Sequence, residues 1–127
     1  LAALPPGGAA EIVERHHRLK ADSPSGTALA LAADLAARGG AVRCGREQGR
    51  TGPRPAGEIG VHAVRGGTWV GDHTVLLAGE GEWLELRHVV QDRQAFAQGA
   101  LAAARFVAAA RPGLYTLEDV AGNRPQP

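Results

Sequence analysis

The stretch from Ile59 to Gln91 constrains the fold more than any other part of the chain. Its apolar residues alternate with polar ones, and glycines break it at Gly66-Gly67 and at Gly79-Glu80-Gly81. Alternation with a period of two marks strands that bury one face. Ile59, Val61 and Ala63 alternate with Gly60 and His62, Thr68 to Ala78 reads as a second strand, and Trp83 to Gln91 reads as a third. In that third strand Leu84, Leu86, His88 and Val90 fall on one face and Trp83, Glu85, Arg87 and Val89 on the other. Gly66-Gly67 predicts a hairpin turn. The simplest reading is three consecutive antiparallel strands.

The segments around this block complete the outline. Glu11 to His17 carries the β-branched pair Ile12-Val13 and reads as a short strand. Ser23 is a candidate N-cap, with Pro24 in the first turn of a helix. From Ser25 to Arg38, Ala28, Leu31 and Leu35 recur at helical spacing, and Gly39-Gly40 ends the run. Val42 to Gly57 holds Arg43, Arg46, Arg50 and Arg54 among glycines and prolines and reads as a long exposed loop. Asp92 is the expected N-cap of a last long helix, in which Phe96, Ala100, Ala103 and Val107 share a face and which Pro112-Gly113 stops. In the tail, Leu114, Tyr115, Leu117 and Val120 are expected to dock, and Pro125 to Pro127 to be disordered. The order predicts an α+β fold: a mostly antiparallel or mixed four-stranded sheet, helices on one face, the other face open for oligomerisation.

Composition bounds the function. The 127 residues make one domain. The chain starts at Leu1 and has no methionine, so we read it as a piece of a longer polypeptide. Aromatic residues are only 4%, and alanine fills many apolar positions; such a core buries less area per residue, which favours association with another subunit. A net charge of +1 argues against nucleic acid and anionic membrane as partners. No apolar run approaches the roughly 20 residues that span a bilayer. Cys44 is alone, which rules out an internal disulfide and fits a reducing cytoplasm. His62, His73 and His88 lie on three different strand candidates without metal-ligand spacing, so they read as core or surface histidines and no metal site is expected.

Chemistry concentrates in His16 to Thr27. Lys20 is the single lysine in a chain that otherwise uses arginine. A lysine ammonium loses its proton when desolvated, whereas a guanidinium does not. His16 and His17 titrate near neutral pH and, on a strand, point to opposite sides. Ser25, Gly26 and Thr27 open a helix, where unpaired N–H groups and the helix dipole favour an anion. A proton exchanger beside an anion site suits a small acidic substrate. The plainer alternative is a helix cap beside a structural histidine pair. No Gly-x-Gly-x-x-Gly follows a strand, and no Walker motif is present.

The run His16-His17-Arg18-Leu19-Lys20-Ala21-Asp22-Ser23-Pro24-Ser25-Gly26-Thr27-Ala28 resembles the signature H-H-x-x-K-x-D-x-P-S-G-T-A of the dihydrodipicolinate reductases. Arg65-Gly66-Gly67 with Val70-Gly71-Asp72-His73-Thr74-Val75, then Gly81-Glu82 to His88, Arg93, Phe96-Ala97-Gln98-Gly99-Ala100 and Pro112-Gly113-Leu114-Tyr115, follow that family in order. Ser23 and Asp92 stand where alanine and serine are common in it. The resemblance implies a substrate-binding and tetramerisation domain over residues 1–127, with the Rossmann domain for NADPH or NADH absent. It also implies the reduction of a cyclic unsaturated dicarboxylate in lysine and diaminopimelate biosynthesis, in the cytoplasm, by a homotetramer. By position, His16 and Lys20 would be catalytic, and His17, Ser25, Gly26 and Thr27 would bind substrate. This piece alone is expected to be inactive as a reductase. The rival is a non-catalytic oligomerisation module that keeps the motif.

Overall fold

The computed structural model describes residues 8–45 and 52–122. Its elements are β1 (Ala9–His16), α1 (Gly26–Ala36), β2 (Ala41–Cys44), β3 (Glu58–Arg65), β4 (Gly71–Ala78), β5 (Trp83–Val90), α2 (Gln94–Ala109) and α3 (Leu117–Gly122). The chain divides into two units, 1–91 and 92–127.

In the first unit five strands form one mixed sheet in the order β2-β3-β1-β4-β5. The α+β class therefore holds, with a fifth strand, since Ala41–Cys44 extends the sheet where a loop was expected. Pairings β2–β3 and β3–β1 are parallel; β1–β4 and β4–β5 are antiparallel. The expected run of three antiparallel strands is thus corrected: β1 lies between β3 and β4. Gly66-Gly67 makes no hairpin. It passes across the end of β1, where Gly66 N–H donates to the His16 carbonyl at 3.0 Å and His17 N–H donates to the Trp69 carbonyl at 2.8 Å. The turn at Gly79 to Gly81 does join paired antiparallel strands.

β1 alternates half-buried and buried residues along its whole length. Its buried side carries Ala10 and Ile12, which pack with Ile59 and Val61 of β3, Leu77 of β4, and Ala28 and Ala32 of α1. Alanine at the two helix positions lets α1 lie close to the sheet, with Leu31 and Leu35 at the margin. The helix is capped by Ser25 rather than Ser23: the Ser25 hydroxyl accepts from Ala28 N–H at 3.3 Å, so Pro24 precedes the first turn. Gly39 and Gly40, both at positive φ, end it as expected. On the other side of the sheet, Asp72 receives Arg15 at 3.0 Å and Arg87 at 2.9 Å, tying β1, β4 and β5 together. The Arg87 hydrogen bonds, opposed by burial and aided by Arg15, hold the Asp72 carboxyl below its usual range.

The second unit is α2, α3 and their connection. The N-cap of α2 is Arg93 rather than the expected Asp92, which stands one residue earlier and accepts from Gln94 N–H at 2.8 Å. Tyr115 docks edge-on against Phe106, with ring centroids 5.2 Å apart. Leu114 and Leu117 do not dock within this unit, at 98% and 77% exposed. Thr116 and Asp119 exchange hydrogen bonds at the start of α3, a reciprocal cap. The expected disorder at Pro125 to Pro127 falls outside the described residues.

Ile12→Ala is expected to cost about 2–5 kcal/mol, because a fully buried side chain leaves a cavity under α1. Leu29→Ala, on the exposed side of the same helix, is expected to change stability by less than about 0.5 kcal/mol. Urea denaturation checks both.

Candidate active site

The alternation that buries Ile12 also carries Glu14 and His16 to the covered side of β1. Glu14 is completely buried. A buried carboxylate requires partners, and this one has a full set. Its Oε2 lies 2.5 Å from His16 Nδ1, and its Oε1 accepts from Ser25 N–H at 3.0 Å. Arg65, at the end of β3, donates from Nη1 and Nη2 to the two oxygens, each at 2.7 Å. That fork-to-fork pair is the strongest ion-pair geometry available to a protein. Burial alone would push the Glu14 carboxyl up, but Arg65, His16 and Ser25 together outweigh it and lower the pKa to about 2. The third guanidinium nitrogen of Arg65, Nε, is buried without a partner among the described residues.

Around His16, which is itself buried, the neighbours on β4 are His73 and Gly71. His73, opposite Glu14 in the β1–β4 register, meets His16 edge-to-face at 5.1 Å. Its Nε2 lies 3.1 Å from Ser25 Oγ. Burial, then the neighbouring His16, lower the His73 pKa and favour its neutral form. Gly71 continues the ladder beside His16. A Cβ built there would sit 3.4 Å from His16 Nε2, so glycine leaves that nitrogen room.

Lys20 follows in the turn after β1, with its N–H bonded to the His17 carbonyl at 3.1 Å. Its ammonium is paired to Asp22 at 2.7 Å. That hydrogen bond, ahead of a small opposing burial effect, holds the Asp22 carboxyl below its usual range. The Asp22 carbonyl in turn accepts from Arg65 Nη2 at 2.7 Å. Three of the sequence candidates therefore belong to one bonded network: it runs Lys20, Asp22, Arg65, Glu14, His16, with Ser25 attached through Glu14. Ser25 is buried, and its N–H and hydroxyl serve Glu14, His73 and Ala28, whereas Gly26 and Thr27 at the helix start are exposed. His17 is half-buried. Among the described residues no group of three His, Cys, Asp or Glu is placed to hold a metal, and no helix is long and apolar enough to cross a membrane.

Sequence reasoning passed over Glu14, and read His73 as a core or surface histidine. The signal for Glu14 was available. It stands two residues before His16 on a strand, hence on the same face as Ile12, where a lone carboxylate must be paired.

Fold and site together define an α+β domain in which an imidazole, an ammonium and a helix start are linked through one buried ion pair. A family model described as dihydrodipicolinate reductase, C-terminus, matches residues 2–121, and the chain belongs to that family. It is 52% identical to the 4-hydroxy-tetrahydrodipicolinate reductase of Rubrobacter xylanophilus over 97% of this chain and 48% of that protein. It is 55% identical to the enzyme of the same name from Methanopyrus kandleri over 87% of this chain and 40% of that protein. A solved structure titled dipicolinate-bound dihydrodipicolinate reductase, from Paenisporosarcina sp. TG-14, matches with a TM-score of 0.68 and 32% identity, over 87% of this chain and 44% of that one. The chain spans about half the length of the curated relatives it matches.

Reductases of this family act with a nicotinamide cofactor. A dinucleotide pyrophosphate needs a glycine-rich turn directly between a strand and a helix. Residues 17–25, which link β1 to α1, contain no glycine, so this connection does not provide that site.

Because the Glu14 carboxyl is lowered on folding, its contribution is present above pH 4.5 and is lost as the pH falls through about 2. Glu14→Gln should remove this part of the acid sensitivity, on the order of 3 kcal/mol. Denaturant midpoints of both proteins between pH 6 and pH 2 check it.

Proposed function

We propose that this chain is the substrate-binding domain of an NAD(P)H-dependent 4-hydroxy-tetrahydrodipicolinate reductase, working in the cytoplasm on a cyclic dicarboxylate. The observation that carries the reading is the single network joining Lys20, Asp22, Arg65, Glu14 and His16, with the start of α1 bonded to it. Its chemistry suits a small dianion. One carboxylate lies at the exposed amides of Gly26 and Thr27, where the helix dipole and free N–H groups favour negative charge. Lys20 exchanges its exposed partner Asp22 for a substrate carboxylate, one ion pair for another. His16 trades a proton with the ring, and Lys20 is the second proton donor. His17 contacts substrate from the strand end. Ser25 holds the helix start in place rather than touching substrate. Hydride comes from NADPH or NADH, bound outside the described residues, so the chain alone binds without reducing.

Titration with pyridine-2,6-dicarboxylate tests this reading. We expect saturable binding, and an affinity loss of about tenfold or more in Lys20→Ala, as removal of a charged hydrogen-bond partner implies. Absence of binding would leave the oligomerisation module as the better account.

The quaternary part of the proposal is a homotetramer. β5 exposes Trp83 (74%) and Leu86 (51%), one on each face of an edge strand. Apolar groups so placed on an edge invite a partner subunit. Sedimentation should give four times the 13.1 kDa chain mass, and Trp83→Glu should lower it. A monomer at micromolar concentration would reject this part.

A further inference from the structure

We propose that Glu14 is the positioning residue of this site: it keeps a proton on His16 Nδ1 and so leaves Nε2 as the nitrogen that exchanges protons with the ligand. The proposal rests on the dicarboxylate reading above and deepens it.

The geometry carries it. Donors from three other groups converge on the two Glu14 oxygens: Ser25 N–H at 3.0 Å, two Arg65 nitrogens at 2.7 Å, and the His16 ring at 2.5 Å. An ionised carboxylate only accepts hydrogen bonds. The atom facing Oε2 must therefore carry hydrogen, and that atom is His16 Nδ1. In the neutral ring the lone pair then lies on Nε2. Nε2 faces the position where Gly71 has no side chain. The competing imidazole, His73, directs its Nε2 to Ser25 Oγ instead. Arg65 completes the arrangement: paired with both Glu14 oxygens, it keeps the carboxylate from taking the His16 proton itself.

The same carboxylate fixes where the ring stands relative to the anion site. Glu14 and His16 are both on β1, Ser25 precedes α1, and Arg65 ends β3. One side chain thus holds both the imidazole and the residue before the helix start, as carboxylates behind histidine ligands and general bases do elsewhere.

Imidazole ¹⁵N NMR tests this without turnover. In the unmodified protein, neutral His16 is expected as the Nδ1–H form, with Nε2 unprotonated. Added pyridine-2,6-dicarboxylate is expected to move the Nε2 resonance more than Nδ1. A neutral His16 found mainly as the Nε2–H form overturns the proposal, whatever any variant does. Glu14→Gln places an amide against the ring and should shift the balance toward Nε2–H. In the complete natural enzyme it should lower kcat by on the order of 10²-fold with KM within about threefold. Glu14→Asp, which keeps an acceptor, should recover part of the Nδ1–H form and of kcat. A folded Glu14→Gln protein that keeps the Nδ1–H form and full kcat also overturns it. If Glu14→Gln does not fold, the spectrum of the unmodified protein decides. A protein that binds no dicarboxylate yet shows the Nδ1–H ring would sink the dicarboxylate reading and leave the Glu14–His16 contact standing, so the two failures are read apart.

Discussion

The buried pairing of Glu14 with Arg65 is the constraint on which the rest of the first unit depends. A carboxylate with no exposure survives inside a protein only when its charge and lone pairs are met. Here they are met by β1's own histidine, by the residue before α1 and by the last residue of β3. Removing any one partner leaves a charge or donor stranded in a dry interior. The pair therefore does more than join two strands. It ties the residue before α1 to β1, and it draws in Asp22 and Lys20 through the same guanidinium.

Much of the fold was legible, and the gaps have physical causes. Period-two alternation located three strands, the β-branched pair Ile12-Val13 a fourth, and helical spacing located α1 and α2, because each signal depends only on residues close in sequence. Pairing does not. A glycine turn reports that the chain reverses, and it is silent on whether another strand enters between the two arms. β1 does enter, and β3 shows four consecutive buried residues, Glu58 to Val61, as a strand flanked on both sides should. β2 escaped because four residues among arginines and glycines make too short a pattern to separate from loop.

Motif and position single out His16, Lys20 and Gly26-Thr27 as residue types. The network links His16 and Lys20, and Gly26-Thr27 lies exposed beside Ser25. Ser25 was read as a ligand group, whereas its N–H and hydroxyl face inward; sequence says that a serine caps a helix, not what its own amide meets. Glu14 and Arg65 were invisible as a pair because 51 residues separate them, and only the parallel register of His16 with Arg65 makes them neighbours. His73 reached the site in the same way, through its register opposite Glu14.

The central place of β1 carries a cost in time. β1 pairs on one side with β3 and on the other with β4, both later in the chain, so that Ala9 finds Ala78 and His16 finds Arg65. A chain emerging in order from the ribosome makes β1 before α1 and β2, and only then the two strands that flank it. Long closures must precede any pairing gain, which slows such topologies. Until β3 arrives, a strand whose core face carries Ala10, Ile12 and the Glu14 carboxylate waits unpaired, and that interval is where a nascent copy is most open to capture by a chaperone or by another unfinished copy.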